Sequence, residues 1–284
     1  MPASALDVEF IDVPFDGRSV RIEYRCLSRE RAGSPLLVFL HEGLGSVSMW
    51  KDYPQRLCDA GGYRGLVFSR EGYGRSTPRA RSERWDVDFM HRQAEQFLPR
   101  LFDRLGIGRE CDFPWLFGHS DGASIALIHA AKHPARVRGV IAVAPHTFVE
   151  DLSIRSIEAA REQYRSTDMK ARLARYHDDV DSAFFGWNDI WLDPRFLAWS
   201  IEAMLASIAC PVLAVQGTGD EYGTLAQVAR IGERVPHAEV VVLDDCRHSP
   251  HRDQPLALTR AVTDFIARHA MARSLRGERH DATS

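Results

Sequence analysis

The chain has 284 residues, of which 45% are apolar and 26% charged, with 36 basic against 39 acidic residues for a net charge of −3. That length suits one large α/β domain with an insertion, or two small domains, and can bury a core without disulfides or metal. The composition excludes a disordered chain, and the balanced charge without like-charge blocks argues against nucleic acid or an anionic membrane as main partner.

In chain order, alternating segments at Val8–Val13 and Val20–Cys26, joined by the turn Phe15-Asp16-Gly17, predict an antiparallel hairpin at a sheet edge. Pro35–Leu40 is short and continuously apolar, as a strand buried on both faces should be. Helical spacing over Met49–Ala60 is followed by a strand at Gly65–Ser69 and an amphipathic stretch over Val87–Leu105, ended by Gly106. A strand at Phe113–Phe117, a helix over about Gly122–His133 stopped by Pro134, and a strand at Val137–Val143 come next. Beyond Pro211 the alternation resumes, with Val212–Gln216, Leu225–Val235, Glu239–Leu243 and Leu256–Ala270. Eight strands alternating with helices predict an α/β fold, a mostly parallel sheet covered by helices.

Between Pro145 and Cys210 the strand signal vanishes, and the segment is helical in character with Trp187, Trp191 and Trp199. The expected organisation is a core from residues 1–145 and 210–270, a helical cap from 146–209, and a flexible tail over 271–284. The five cysteines are dispersed and form no CxxC pair, which fits a reducing compartment. MPASALDVEF has no basic region followed by an apolar run, and no stretch nears ~18 uncharged apolar residues. A cytoplasmic protein is expected. Thirty-three of the 36 basic residues are Arg, the bias of a GC-rich bacterial genome.

The strongest chemical signal is Gly118-His119-Ser120-Asp121-Gly122, a G-x-S-x-G between an apolar strand and an apolar helix. Two glycines there permit the strained strand-to-helix turn that lifts a serine hydroxyl above a sheet. A serine needs a base to become a nucleophile, and the base needs a carboxylate to orient it. Asp220 follows one late strand and His248 the next, so all three leave the same edge of a parallel sheet. Glu221, Asp244 and Asp245 are rival acids and His251 a rival base. His248 with His251 lacks a third ligand, so no metal is expected. His41-Glu42-Gly43-Leu44-Gly45-Ser46 follows the third strand, where Gly43 or Leu44 would donate one backbone N–H to an oxyanion and Asp121 the other. Glu42, His146, Trp187, Trp191 and Tyr222 are candidate pocket residues, with Tyr176-His177 and Phe184-Phe185 as further aromatic walls.

Together HEGLGS, SREGYGRS (69–76), GHSDGA, QGTGDEYG (216–223) and CRHSPHRDQP (246–255) resemble the α/β-hydrolase fold superfamily, and within it the capped small-molecule serine hydrolases. The resemblance covers Val8 to about Ala270. It implies a hydrolase with no cofactor and a small-molecule substrate, and it leaves a homodimer open. It departs from the family's usual patterns at Glu42, at Ser69-Arg70-Glu71 and at Arg247, and pairing of the two glutamates with Arg70, Arg75 or Arg247 is expected. The expected reaction is cleavage of an ester, lactone or thioester through an acyl-enzyme. The alternatives are a C–C bond hydrolase of aromatic ring-cleavage products, and a non-catalytic small-molecule binding protein on the same fold.

Overall fold

A computed structural model describes the backbone of residues 8–80, 82–109 and 112–281, with side chains through residue 270. The start of MPASALDVEF, Cys111 and residues 282–284 lie outside the described residues. Eight strands form one sheet in the order β1-β2-β4-β3-β5-β6-β7-β8. They are β1 (Glu9–Phe15), β2 (Arg18–Leu27), β3 (Leu36–Leu40), β4 (Arg64–Phe68), β5 (Trp115–His119), β6 (Gly139–Val143), β7 (Val212–Gly217) and β8 (Ala238–Leu243). β1 and β2 pair antiparallel, β2 meets β4 antiparallel, and every later pairing is parallel.

The central strands β3, β5, β6 and β7 are buried along their whole length, which is why they read as unbroken apolar runs instead of alternating ones. Side chains leave them to two cores. Leu37, Phe39, Phe117 and Val215 pack under α1 (Tyr53–Gly61) and α11 (Pro255–Asp281). Val38, Leu40, Leu116 and Ala142 face α2 (Phe89–Arg92), α3 (Leu98–Leu105) and α4 (Asp121–Lys132).

Element ends differ from the expectation where the backbone turns. Lys51 sits at φ 56°, so α1 starts at Tyr53 and not at Met49, with Pro54 in its first turn. The stretch expected as one helix over 87–105 starts at Phe89 and carries a π-turn at Gln93–Phe97 between α2 and α3. Gly106 caps it in the left-handed region at φ 71°, as expected.

Between β6 and β7 lie only helices and one isolated bridge: α5 (Asp151–Ser166), α6 (Met169–Leu173), α7 (Val180–Trp191) and α8 (Glu202–Leu205). After β7 come α9 (Ala226–Arg234) and α10 (Pro250–Asp253). The backbone of residues 271–281, expected as a flexible tail, continues α11 as helix. Among the described residues no helix is long and apolar enough to cross a membrane.

Candidate active site

Ser120 stands between β5 and α4 at φ 53°, ψ −121°, a conformation that costs an L-residue roughly 1–3 kcal/mol and that surrounding packing must hold. Two glycines make the turn possible. A Cβ on Gly118 would sit 2.3 Å from the Gly122 carbonyl oxygen, and one on Gly122 would sit 2.1 Å from that of Leu40. The Ser120 N–H donates to Val143 O at 2.9 Å, which ties the turn to β6.

His248, in the loop after β8, has its Nε2 3.0 Å from Ser120 Oγ and its Nδ1 2.8 Å from Asp220 Oδ1. A carboxylate oxygen only accepts, so Nδ1 carries the proton and Nε2 is left to accept from the serine. Asp220 is itself held: Oδ1 accepts the Tyr222 N–H at 2.8 Å and Oδ2 accepts from Gln216 Nε2 at 3.1 Å. Burial pushes the Asp220 carboxyl up, but the His248 hydrogen bond and charge outweigh it and hold it below its ordinary value. For His248 burial disfavours the imidazolium, yet the bond and charge of Asp220 raise its pKa above 6.5.

The rivals have other work. Glu221 accepts the His248 N–H at 3.1 Å and pairs with Arg247 at 3.1 Å. The carbonyls of Asp244 and Asp245 accept from Gln254. His251 packs its ring against Trp50, Tyr53 and His119.

After β3 the chain runs through Glu42, Gly43 and Leu44. Neither the Gly43 nor the Leu44 N–H has an intramolecular acceptor among the described residues. Asp121 opens α4, where first-turn N–H groups lack an i−4 acceptor. The Trp187 indole lies directly on Gly43, so a Cβ there would fall 2.1 Å from its Cδ1. Trp191 Nε1 donates to Asp121 Oδ1 at 3.1 Å, and its ring meets His146 at 4.8 Å. The Tyr222 ring lies 4.7 Å from that of His248, and its carbonyl accepts from Ser153. His146 and Tyr222 therefore flank His248, Trp191 bridges Asp121 and His146, and Trp187 lies on Gly43. Phe184 stacks on Tyr164 inside the helical segment, and the Tyr176 hydroxyl accepts from Lys51 Nζ, so neither is tied to this centre.

Charge pairing differs from the expectation. Glu71 pairs with Arg18, brought in by the β1–β2 hairpin. Arg70 reaches the main-chain carbonyl of Glu42 at 2.9 Å, not its carboxylate, and stands 3.9 Å from Asp121 Oδ2. Burial pushes the Asp121 carboxyl up to about 6, opposed by Arg70 and the Trp191 hydrogen bond. Burial also lowers His146 to about 4. Three residues given no structural role by the sequence hold the backbone here. His41 accepts the Arg70 N–H on Nε2 and donates from Nδ1 to the Glu42 carbonyl at 2.7 Å. His177 donates from Nε2 to the Leu44 carbonyl at 2.9 Å. His119 donates from Nε2 to the His248 carbonyl at 2.7 Å. Their signal is absent from any local pattern, because each partner is distant along the chain or on the main chain.

Comparison with known proteins agrees with this arrangement at the level of family. The chain is 26% identical over 204 residues to a 2-succinyl-6-hydroxy-2,4-cyclohexadiene-1-carboxylate synthase of Enterobacter sp. (strain 638), covering 72% of this chain and 69% of that protein. It is 24% identical over 263 residues to a 2-(acetamidomethylene)succinate hydrolase of Mesorhizobium japonicum, covering 84% and 90%. Among solved structures, the enol-lactonase from Burkholderia xenovorans LB400 shares its fold, with a TM-score of 0.69 at 20% identity over 91% of this chain and 100% of that one. A family model described as the alpha/beta hydrolase family matches residues 37–262, and the chain belongs to that family.

Proposed function

We propose that the protein is a serine hydrolase that cleaves a small carboxylic ester, lactone or thioester by acyl transfer. The observation that carries this reading is the single line of contacts Ser120 Oγ, His248 Nε2, His248 Nδ1, Asp220 Oδ1, with links of 3.0 and 2.8 Å. Ser120 attacks the carbonyl carbon while His248 removes its proton as general base. Asp220 fixes the imidazole tautomer and stabilises the imidazolium. The oxyanion accepts from the N–H groups of Asp121 and of Gly43 or Leu44, worth roughly 3 kcal/mol each. His248 returns its proton to the leaving group, and water activated by the same histidine then releases the acid.

The helices between β6 and β7 act as a cap. Trp187 and Trp191 close the acyl side, and their contacts with Gly43 and Asp121 favour a small, largely apolar acyl group. The test is turnover of a panel of p-nitrophenyl esters beside a ring-cleavage 1,5-diketone, by the native protein and by Ser120→Ala. Ester turnover that is abolished in a folded Ser120→Ala variant is expected. Ester turnover that survives the substitution removes the mechanism, and cleavage of the diketone alone transfers the triad to C–C hydrolysis.

A further inference from the structure

Glu42 follows β3, and its side chain has a built seat. The carboxylate folds back across Gly45, where a Cβ would lie 2.5 Å from Glu42 Oε2, so only glycine leaves it room. Its main chain is fixed as well, because the Glu42 carbonyl accepts from both His41 Nδ1 and Arg70 Nη2. From that seat Oε2 stands 3.4 Å from His119 Nδ1. The other nitrogen of the same ring, Nε2, is 2.7 Å from the carbonyl oxygen of His248.

A carbonyl oxygen only accepts, so His119 Nε2 carries a proton. Its Nδ1 faces the Glu42 carboxylate oxygen in a buried place. The contact is favourable when a proton lies between them. His119 is almost fully buried, and its Nδ1 has no hydrogen-bond partner among the described residues, so Glu42 is the group available to it.

We propose that Glu42 and His119 are a positioning pair for His248: the carboxylate holds the His119 ring, and the ring holds the main chain of the base. This rests on the reading of His248 as the base that activates Ser120. The pair secures a part of His248 that Asp220 does not touch. Asp220 fixes the side chain, Glu221 takes the main-chain N–H, and His119 takes the main-chain carbonyl. It also links the loop carrying Gly43 and Leu44 to the loop carrying the base, because both depend on Glu42. Several charges bear on these groups. Glu42 is faced by His119 on β5, His251 on α10, His41 at the end of β3, Arg70 after β4, Asp121 on α4, and His177 and His248 from their loops. His248 is faced by Asp220, Glu221, Glu42, His119, His146, Tyr222, Asp121 and His251. Burial pushes the Glu42 carboxyl up, but His119 and the neighbouring histidines hold it well below the ordinary carboxylate range, so the anion persists at neutral pH.

The probe is a fluorophosphonate, whose second-order rate of reaction with Ser120 is followed from pH 5 to 9 in the full chain. Glu42→Gln, nearly isosteric, is expected to slow labelling about fivefold. His119→Phe should slow labelling about tenfold or more, and His119→Gln, which keeps a donor near the Nε2 position, should recover to within about threefold of the native rate. Native rates in both Glu42→Gln and His119→Phe would overturn the pair while leaving the triad standing. So would a folded His119→Gln that labels as slowly as His119→Phe. A folded native protein that the probe does not label at Ser120 would overturn both.

Discussion

At Asp220 the chemistry of the site turns on one negative charge. The proposed reaction needs neutral His248, and Asp220 raises the pKa of that ring above 6.5. Activity is therefore lost as pH falls through the raised value, and a change that removes the charge must move the acid limb to lower pH. Asp220→Asn is expected to do this while reducing kcat/KM about a thousandfold or more, because the amide no longer enforces the Nδ1–H tautomer. A pH profile of the variant checks both, and an unmoved limb would mean that another carboxylate sets the base. The juxtaposition of the three residues proposed as the triad was legible in the sequence because each follows a strand at the same sheet edge. Glu42, His41 and His119 were visible as letters but not as contacts. Their partners are main-chain groups and, for Glu42, the His119 ring, and no spacing rule encodes those.

The nucleophile turn shows what a whole element contributes. Gly122 is where α4 leaves β5, and there is no room beside it for even a methyl group against the Leu40 and His41 carbonyls. Gly122→Ala is expected to displace α4 from β3 and to cost about 2–3 kcal/mol, read as a lower urea midpoint. An unchanged midpoint would show that the strand and helix are less closely packed than these distances require. Apolar runs made the buried strands legible, and Gly106 marked a helix end through its left-handed backbone. Helix starts were less legible. Lys51 at φ 56° breaks a pattern that side-chain periodicity carries through, and the π-turn at 93–97 changes the pitch without changing composition. The same reason explains the shifted start of β5, since Phe113 is apolar yet precedes the pairing with β3 that begins at Trp115.

Across the whole molecule, the alternation of strands and helices predicted a mostly parallel sheet, but not the order in which strands pair. Pairing β2 with β4 and β3 with β5 brings together segments tens of residues apart, and hydrophobic period is blind to such choices. That order is what delivers the loops after β3, β5, β7 and β8 to one rim. The helical insertion was recognisable by its missing strand signal, whereas its anchoring to the rim through Trp187, Trp191 and His177 required coordinates. The exposed ion pairs around this frame are worth about 0–1 kcal/mol each, so the buried hydrogen bonds of the rim and the two apolar cores decide the geometry. The convergence of Ser120, His248 and Asp220 into a working nucleophile is tested most directly by mapping the adduct formed with a fluorophosphonate. One phosphonyl group per chain, located on Ser120 and lost in His248→Ala, is the predicted result. A folded protein that takes up none, or carries it on a different residue, would contradict the account.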